Sequence, residues 1–361
     1  MTTASPSERL GCYVLPGGPA DPTPVIAQAR AAEDLGLGTV FIGERYATKD
    51  LPALAGALSQ TTQRVRIAAG VTHIGTRHPM VLASMGQTLQ ALTGGRFVLG
   101  IGRGATARWH AYGITPPTDA MLTDTAHILR ELWAGERVSY TGPLGTFPDL
   151  ALIERPPFPP PKILLAAIGP RALAIGGGAF DGVILHPLLS TDAVGRAAAS
   201  VRSAAEASGR DPASLEIHAT VIVAPDPSGA QSGTESGARP PDEIVGARAL
   251  GYLLMRGVGE ALVKANGWDP EGLDPVRADP RVAGRGYSAL KTVPAAELAE
   301  ISRSLPARWL AEGAVLGTAA ECAARIDEYL DAGATGILLH GSEPNELNAL
   351  VAAFSARHPA R

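Results

Sequence analysis

Three glycine-bearing turns and one polar loop are the places in this sequence where backbone and side chains could meet a ligand. Gly100-Ile101-Gly102-Arg103-Gly104-Ala105 follows an apolar run. Glycines let main chain approach a flat or anionic group closely, and Arg103 adds a cation. The third glycine falls one place early for the dinucleotide pattern Gly-x-Gly-x-x-Gly. The run therefore reads either as a tight turn beneath close packing or as a ligand-facing turn. Ala166-Ala167-Ile168-Gly169-Pro170-Arg171 ends another apolar run and opens a helical one. Free amides at the positive end of a helix dipole suit a phosphate, and Arg171 supplies further charge. An ordinary strand-to-helix connection also favours Gly-Pro. Ala69-Gly70-Val71-Thr72-His73 leads into Thr76-Arg77-His78-Pro79, with Pro79 at a first helical position and His78 beside the cap. Gly43-Glu44-Arg45-Tyr46-Ala47-Thr48-Lys49 gathers polar groups that suit a site, although Glu44 and Arg45 could equally pair with neighbours and hold a loop. His73, His78 and His110 share no ligand spacing, so no metal is expected.

Such loops need a scaffold that brings them to one edge. Apolar, β-branched runs at residues 10–15, 39–42, 65–73 and 97–101 alternate with helical patterns at 24–36, 51–60, 79–92 and 119–133. Pro24 opens the first helix and Gly36 closes it, while Gly94-Gly95 closes the third. Nearly unbroken apolar runs fit strands buried on both faces of a parallel sheet. The repeat of roughly 25–35 residues fits βαβ units. A hairpin is expected after Gly135, then the connector Arg155-Pro156-Pro157-Phe158-Pro159-Pro160-Pro161. Further strands fall at 163–167, 182–185, 216–223 and 336–340. Residues 225–241 read as a loose loop rich in Gly, Ser and Pro, followed by a helical stretch at 242–266 and a less regular one to 293. Eight strand candidates predict an α/β fold, a closed (β/α)8 TIM barrel in one domain over residues 1–361, with 225–293 an insertion after strand 7. An open doubly wound sheet with a lid is the competing architecture.

The 361 residues, 45% of them hydrophobic, suit a barrel of ~250 residues carrying insertions. A net charge of −4 argues against nucleic acid or membrane binding through bulk charge. No apolar run approaches the ~20 residues needed to span a bilayer. The polar residues 1–10 lack a signal-peptide core and read as a short mobile tail. Cys12 and Cys322 stand far apart in the sequence with no metal or redox spacing, which fits a reduced, cytoplasmic setting.

Taken together, Gly70-Val71, Thr76-Arg77-His78-Pro79 and the block from Leu92-Thr93-Gly94-Gly95-Arg96-Phe97 to Gly102 resemble the luciferase-like monooxygenase superfamily, in particular its actinobacterial F420-dependent oxidoreductase branch. Gly169-Pro170-Arg171-Ala172-Leu173, followed by Phe180-Asp181-Gly182-Val183-Ile184, is similar to that family's later signature. The likeness runs from about residue 10 to 354. It implies a bacterial luciferase-like barrel holding coenzyme F420 at its carboxyl mouth, with FMN as the alternative. It also implies a non-proline cis bond at Gly70–Val71, a bulge pressing behind the ring. Ala69, Gly70, Val71, Thr72, Arg103, Gly104 and Ala105 would line the ring and ribityl chain. Ala167, Ile168, Gly169 and Pro170 would hold the phosphate, with Arg171 near the acidic tail.

The sugar-phosphate dehydrogenase branch has a glutamate where Ala105 stands and a histidine where Arg45 aligns. Their absence speaks against sugar dehydrogenation and leaves Glu44 and Tyr46 as candidate proton donors. The expected function is hydride transfer between F420 and a small organic substrate, in a homodimer. An FMN-dependent monooxygenase and a non-catalytic F420 or flavin carrier are the alternatives.

Overall fold

A computed structural model of the chain describes residues 5–15, 21–46, 48–226 and 240–359. They group into two compact units, one comprising Gly11–Ile184 with Ser200–Glu216, the other the remaining described residues.

In the first unit, β1 (Leu10–Tyr13), β2 (Thr39–Ile42), β3 (Arg66–Ala69), β4 (Thr72–His73) and β5 (Phe97–Gly102) precede a hairpin of β6 (Val138–Gly142) and β7 (Gly145–Leu150). β8 (Lys162–Ala167) and β9 (Gly182–Leu185) follow. The parallel order is β1-β2-β3-β5-β8-β9, with β4 continuing β3's line against β5. Parallel pairing needs crossovers, and helices at Pro24–Asp34, Leu51–Ser59, Pro79–Leu92 and Asp119–Ala134 supply them. Three of these begin with proline at the first turn, where the missing N–H costs nothing. Every residue of β2 and β5 is buried, as expected for strands covered on both faces.

In the second unit, β10 (Glu216–Pro225) pairs in parallel with both β11 (Ala314–Gly317) and β12 (Gly336–Gly341). The six βα strand positions of the first unit and the two of the second, β10 and β12, are the eight of a (β/α)8 barrel; β11 is additional. Between β10 and β11 lies the helical insertion, including Pro241–Leu253, Val258–Asn266, Ala295–Ser302 and Ala307–Gly313. Trp268 stacks on Trp309 at 4.8 Å within it.

The structure departs from the sequence reading at four places. The run 65–73 is two strands rather than one, and the non-proline cis bond expected at Gly70–Val71 lies between them. Residues 6–9 are not tail: Pro6–Arg9 is a 3-10 turn with Ser7 buried, leading straight into β1. A short helix, Thr106–Ala111, follows the glycine turn, and β11 was not anticipated. The expected loose loop falls mostly outside the described residues.

Candidate active site at the carboxyl ends of β2, β3, β5 and β8

Parallel strands end on one side, so the exits of β2, β4, β5 and β8 share an edge, the edge where barrel enzymes carry their chemistry. The backbone there is packed unusually close. A Cβ on Gly100 would stand 2.0 Å from the Ala69 carbonyl oxygen and 3.0 Å from Val71; one on Gly102 would meet Val71 at 2.9 Å. Gly70 is equally tight, 2.9 Å from Phe41, and its carbonyl accepts a 2.6 Å hydrogen bond from the Tyr13 hydroxyl. Only glycine allows this ledge of main chain, against which the Val71 side chain packs.

The turn beyond β5 is held from several directions. Gly104 has φ +71°, and a Cβ there would collide with Trp109 at 2.3 Å and His73 at 2.9 Å. The Trp109 indole N–H donates to the Arg103 carbonyl at 2.6 Å. The Arg103 guanidinium donates to the Pro117 carbonyl at 3.1 Å and pairs with Asp119. Burial and then the nearby Arg171 cation lower the Arg103 pKa. The two arginines are therefore close enough to feel each other.

At the exit of β8, Gly169 caps the helix Pro170–Ala179 without any side-chain hydrogen bond, and a Cβ on it would meet nothing within 4 Å. The first-turn amides of Arg171 and Ala172 have no intrahelical acceptor. Open space before amides, with Arg171 exposed beside them, fits an anionic group.

The β2 exit divides the two candidate proton donors. Glu44 is buried: its Oε2 accepts from Arg77 Nη1 at 2.5 Å and Thr72 Oγ1 at 2.9 Å, while Oε1 has no partner. Arg77 also reaches Thr72 at 2.8 Å and Asp50 at 3.3 Å. Glu44 thus ties the β2 exit to β4 and the following helix. Arg45 instead forms a bridge with Lys49, closing the loop. Tyr46 is half-buried, and its hydroxyl lies 2.9 Å from His73 Nδ1 and 2.7 Å from Thr76 Oγ1. Its ring meets Trp109 and Tyr112 at 6.3 and 6.2 Å, and Arg77 stands 5.8 Å over it. Burial raises the Tyr46 pKa, so the phenol keeps its proton. Burial, with Arg108 and Arg77 nearby, pushes His73 down to about 3.

The arrangement thus brings Glu44, Tyr46, Thr72, Arg103 and Gly104 into connected contact, and places Gly169 to Arg171 at a neighbouring strand end. His78 accepts from the Met80 amide at 3.1 Å and is a helix cap. His73, Arg77 and Trp109 were missed as partners. Their contacts join separate elements, and nothing local in the sequence announces them. Among the described residues no His, Cys, Asp and Glu group could hold a metal.

The architecture is that of a TIM-barrel enzyme whose strand ends form a backbone ledge beside a polar, aromatic-lined edge. The profile of the family described as luciferase-like monooxygenase matches residues 7–336, and the chain belongs to that family. A 5,10-methylenetetrahydromethanopterin reductase of Methanolobus tindarius is 27% identical over 325 residues, covering 89% of this chain and 91% of the relative. An F420-dependent hydroxymycolic acid dehydrogenase of Mycobacterium tuberculosis is 31% identical over 212 residues, 55% of this chain and only 58% of the relative. The coenzyme F420-dependent tetrahydromethanopterin reductase of Methanopyrus kandleri superposes with a TM-score of 0.78 at 17% identity, covering 97% of this chain and 99% of that one. At that identity the superposition speaks for the fold alone.

Proposed function

We propose that this chain is an F420-dependent oxidoreductase that moves a hydride between the deazaflavin and a small organic substrate. The observation that carries the reading is the main-chain ledge of Ala69, Gly70, Val71, Gly100 and Gly102, a surface suited to the back of a flat ring. In this reading Thr72, Arg103, Gly104 and Ala105 border the ring and its chain. Ala167, Ile168, Gly169 and Pro170 receive the phosphate at the uncapped helix end, and Arg171 attends the acidic tail. When bound, the deazaflavin supplies a two-electron hydride donor or acceptor. The chain itself orients it, backs the turn with the buried Trp109, and keeps a phenol proton at Tyr46. Glu44 is assigned to holding Arg77 rather than to proton transfer. F420 is favoured by its presence in the names of relatives. The luciferase-like monooxygenase description keeps an FMN enzyme as the second reading.

A homodimer is included in the proposal, through the face of the helices Leu51–Ser59 and Pro79–Leu92. That face carries exposed Val81 and Leu92, at 53% and 46%. A cytoplasmic setting fits Cys12 and Cys322, both buried free thiols.

Titration of the purified chain with F420, FMN and NADP, followed by cofactor fluorescence, tests the assignment. Saturable F420 quenching at micromolar concentrations with none for FMN is the expected result. Binding of FMN in preference to F420 overturns it in favour of the monooxygenase.

A further inference from the structure

The amino ends of β8, β9 and β10 gather more positive charge than they neutralise. Arg130, on the helix Asp119–Ala134, donates from Nη1 to the Ala179 carbonyl at 2.6 Å and from Nη2 to Asp181 Oδ1 at 2.9 Å. Arg210, in the segment before β10, donates from Nη1 to the Gly177 carbonyl at 2.9 Å and also to the Phe180 carbonyl. Its Nη2 lies 3.6 Å from the same Asp181 oxygen. Asp181 Oδ2 is already taken by the Ile163 amide at 2.8 Å. Lys162 opens β8 and shares Glu216 with Arg66, at 2.6 and 3.0 Å. Among the described residues, four cations thus meet two carboxylates, and the cluster is left two charges positive.

A cavity of about 470 Å³ opens here, lined by Arg130, Lys162, Asp181 and Arg210 together with Trp133 and Pro161. The Trp133 indole N–H is spent on the Ala83 carbonyl at 3.0 Å, so that ring offers the cavity only carbon. Both arginines help to close the helix Pro170–Ala179 by capping its last carbonyls. A guanidinium has five N–H groups, and that work leaves three on each arginine, including Nε–H, for a further acceptor. Burial and then the Arg130 cation lower the Arg210 pKa against the pull of Asp181, so the two guanidinium groups crowd each other. Their side chains are 35% and 27% exposed, which leaves them within reach of a solute.

We propose that this cavity is an anion site for a phosphate dianion, free or as the monoester of a small molecule, held by Arg130, Arg210 and Lys162. A dianion matches the two uncompensated charges, and guanidinium forks suit phosphate oxygens. The bound anion joins the helix Asp119–Ala134, the start of β8 and the segment before β10. It lies at the opposite strand ends from the main-chain ledge, on the face of a barrel that serves stability rather than chemistry.

Calorimetric titration with inorganic phosphate, at constant ionic strength and a pH where the dianion dominates, tests the site. Saturable binding is expected with a Kd on the order of 1 mM, with sulfate competing and chloride not. K162E cancels the surplus charge without touching a helix cap, and is expected to weaken phosphate at least ~10-fold. R210Q is expected to do the same, and K162E keeps the test decisive if R210Q does not fold. R171A, at the far end of β8, should leave the affinity within about twofold. The melting temperature should rise saturably over the same phosphate range in the parent and in R171A, and not in K162E. Phosphate also stabilises proteins generally, by exclusion from their surface. An unsaturating rise of that kind, equal in the parent and K162E, overturns the proposal. So does binding that R171A abolishes and K162E leaves intact, because the anion then sits at the β8 exit. An alkyl phosphate that binds more tightly than inorganic phosphate identifies a monoester whose organic group meets Trp133 and Pro161; weaker binding identifies free phosphate.

Discussion

Arg77 donates to Glu44 Oε2 at 2.5 Å, while Glu44 Oε1 has no hydrogen-bond partner, so a fully buried carboxylate is held from one side only. Removing its cation strands the charge. R77A is expected to lose about 3–5 kcal/mol of unfolding free energy, the usual cost of breaking a buried pair from one end. E44Q, which leaves no buried anion and keeps Arg77 beside Asp50, is expected to lose clearly less. Urea denaturation of the two variants checks the order; equal losses would mean that Glu44 does not depend on Arg77.

Acid should destabilise the fold in a defined window. His73 and His186 are held down to about 3 and about 4 by burial, against an ordinary value of 6.5. Between those values and 6.5 the unfolded chain binds the proton and the folded chain does not. Stability therefore rises with pH across that window and is lost as pH falls through it. Replacing either histidine with glutamine is expected to remove about one proton, or ~1.4 kcal/mol per pH unit, from the slope. Unfolding free energies measured from pH 7 to 4 give the slope directly.

Gly104 combines a left-handed backbone with no room for a methyl group. G104A is expected to cost roughly 1–2 kcal/mol from the backbone alone, with more from displacing Trp109. F420 affinity should fall alongside. Calorimetric unfolding and cofactor titration of the same preparation read both effects, and an unchanged affinity would remove the turn from the proposed cradle.

Arg171 stands exposed at the uncapped helix end, and R171A should weaken F420 binding by about 3–10-fold at low salt, the scale of one charge-assisted contact. The difference should shrink in 1 M salt, where the screening length is ~3 Å. Equal affinities at low salt would place the anionic end of the cofactor elsewhere.

Much of the barrel was legible because period and punctuation agree: proline first, glycine last, and buried runs of β-branched residues between. The close-packed positions at Gly70, Gly100 and Gly102 were legible as glycines at strand exits. The division of labour between Glu44 and Tyr46 was not, since it depends on Arg77 and His73, which approach from another strand exit. The two short strands around Gly70–Val71 read as one in the hydrophobic pattern, and only the family resemblance pointed to a bulge between them. The helix Thr106–Ala111 was hidden by its length, barely more than one and a half turns.

The ledge at Gly100 and Gly102 has a consequence for how such a protein diversifies. A surface made of peptide units presents almost nothing that a point substitution can exchange, and any added carbon at Gly100 would strike the Ala69 carbonyl. A side chain added at either position must displace its neighbours before it can reach anything else. The ledge is thus shaped by peptide units alone, and its contour is set by the strands rather than by side chains.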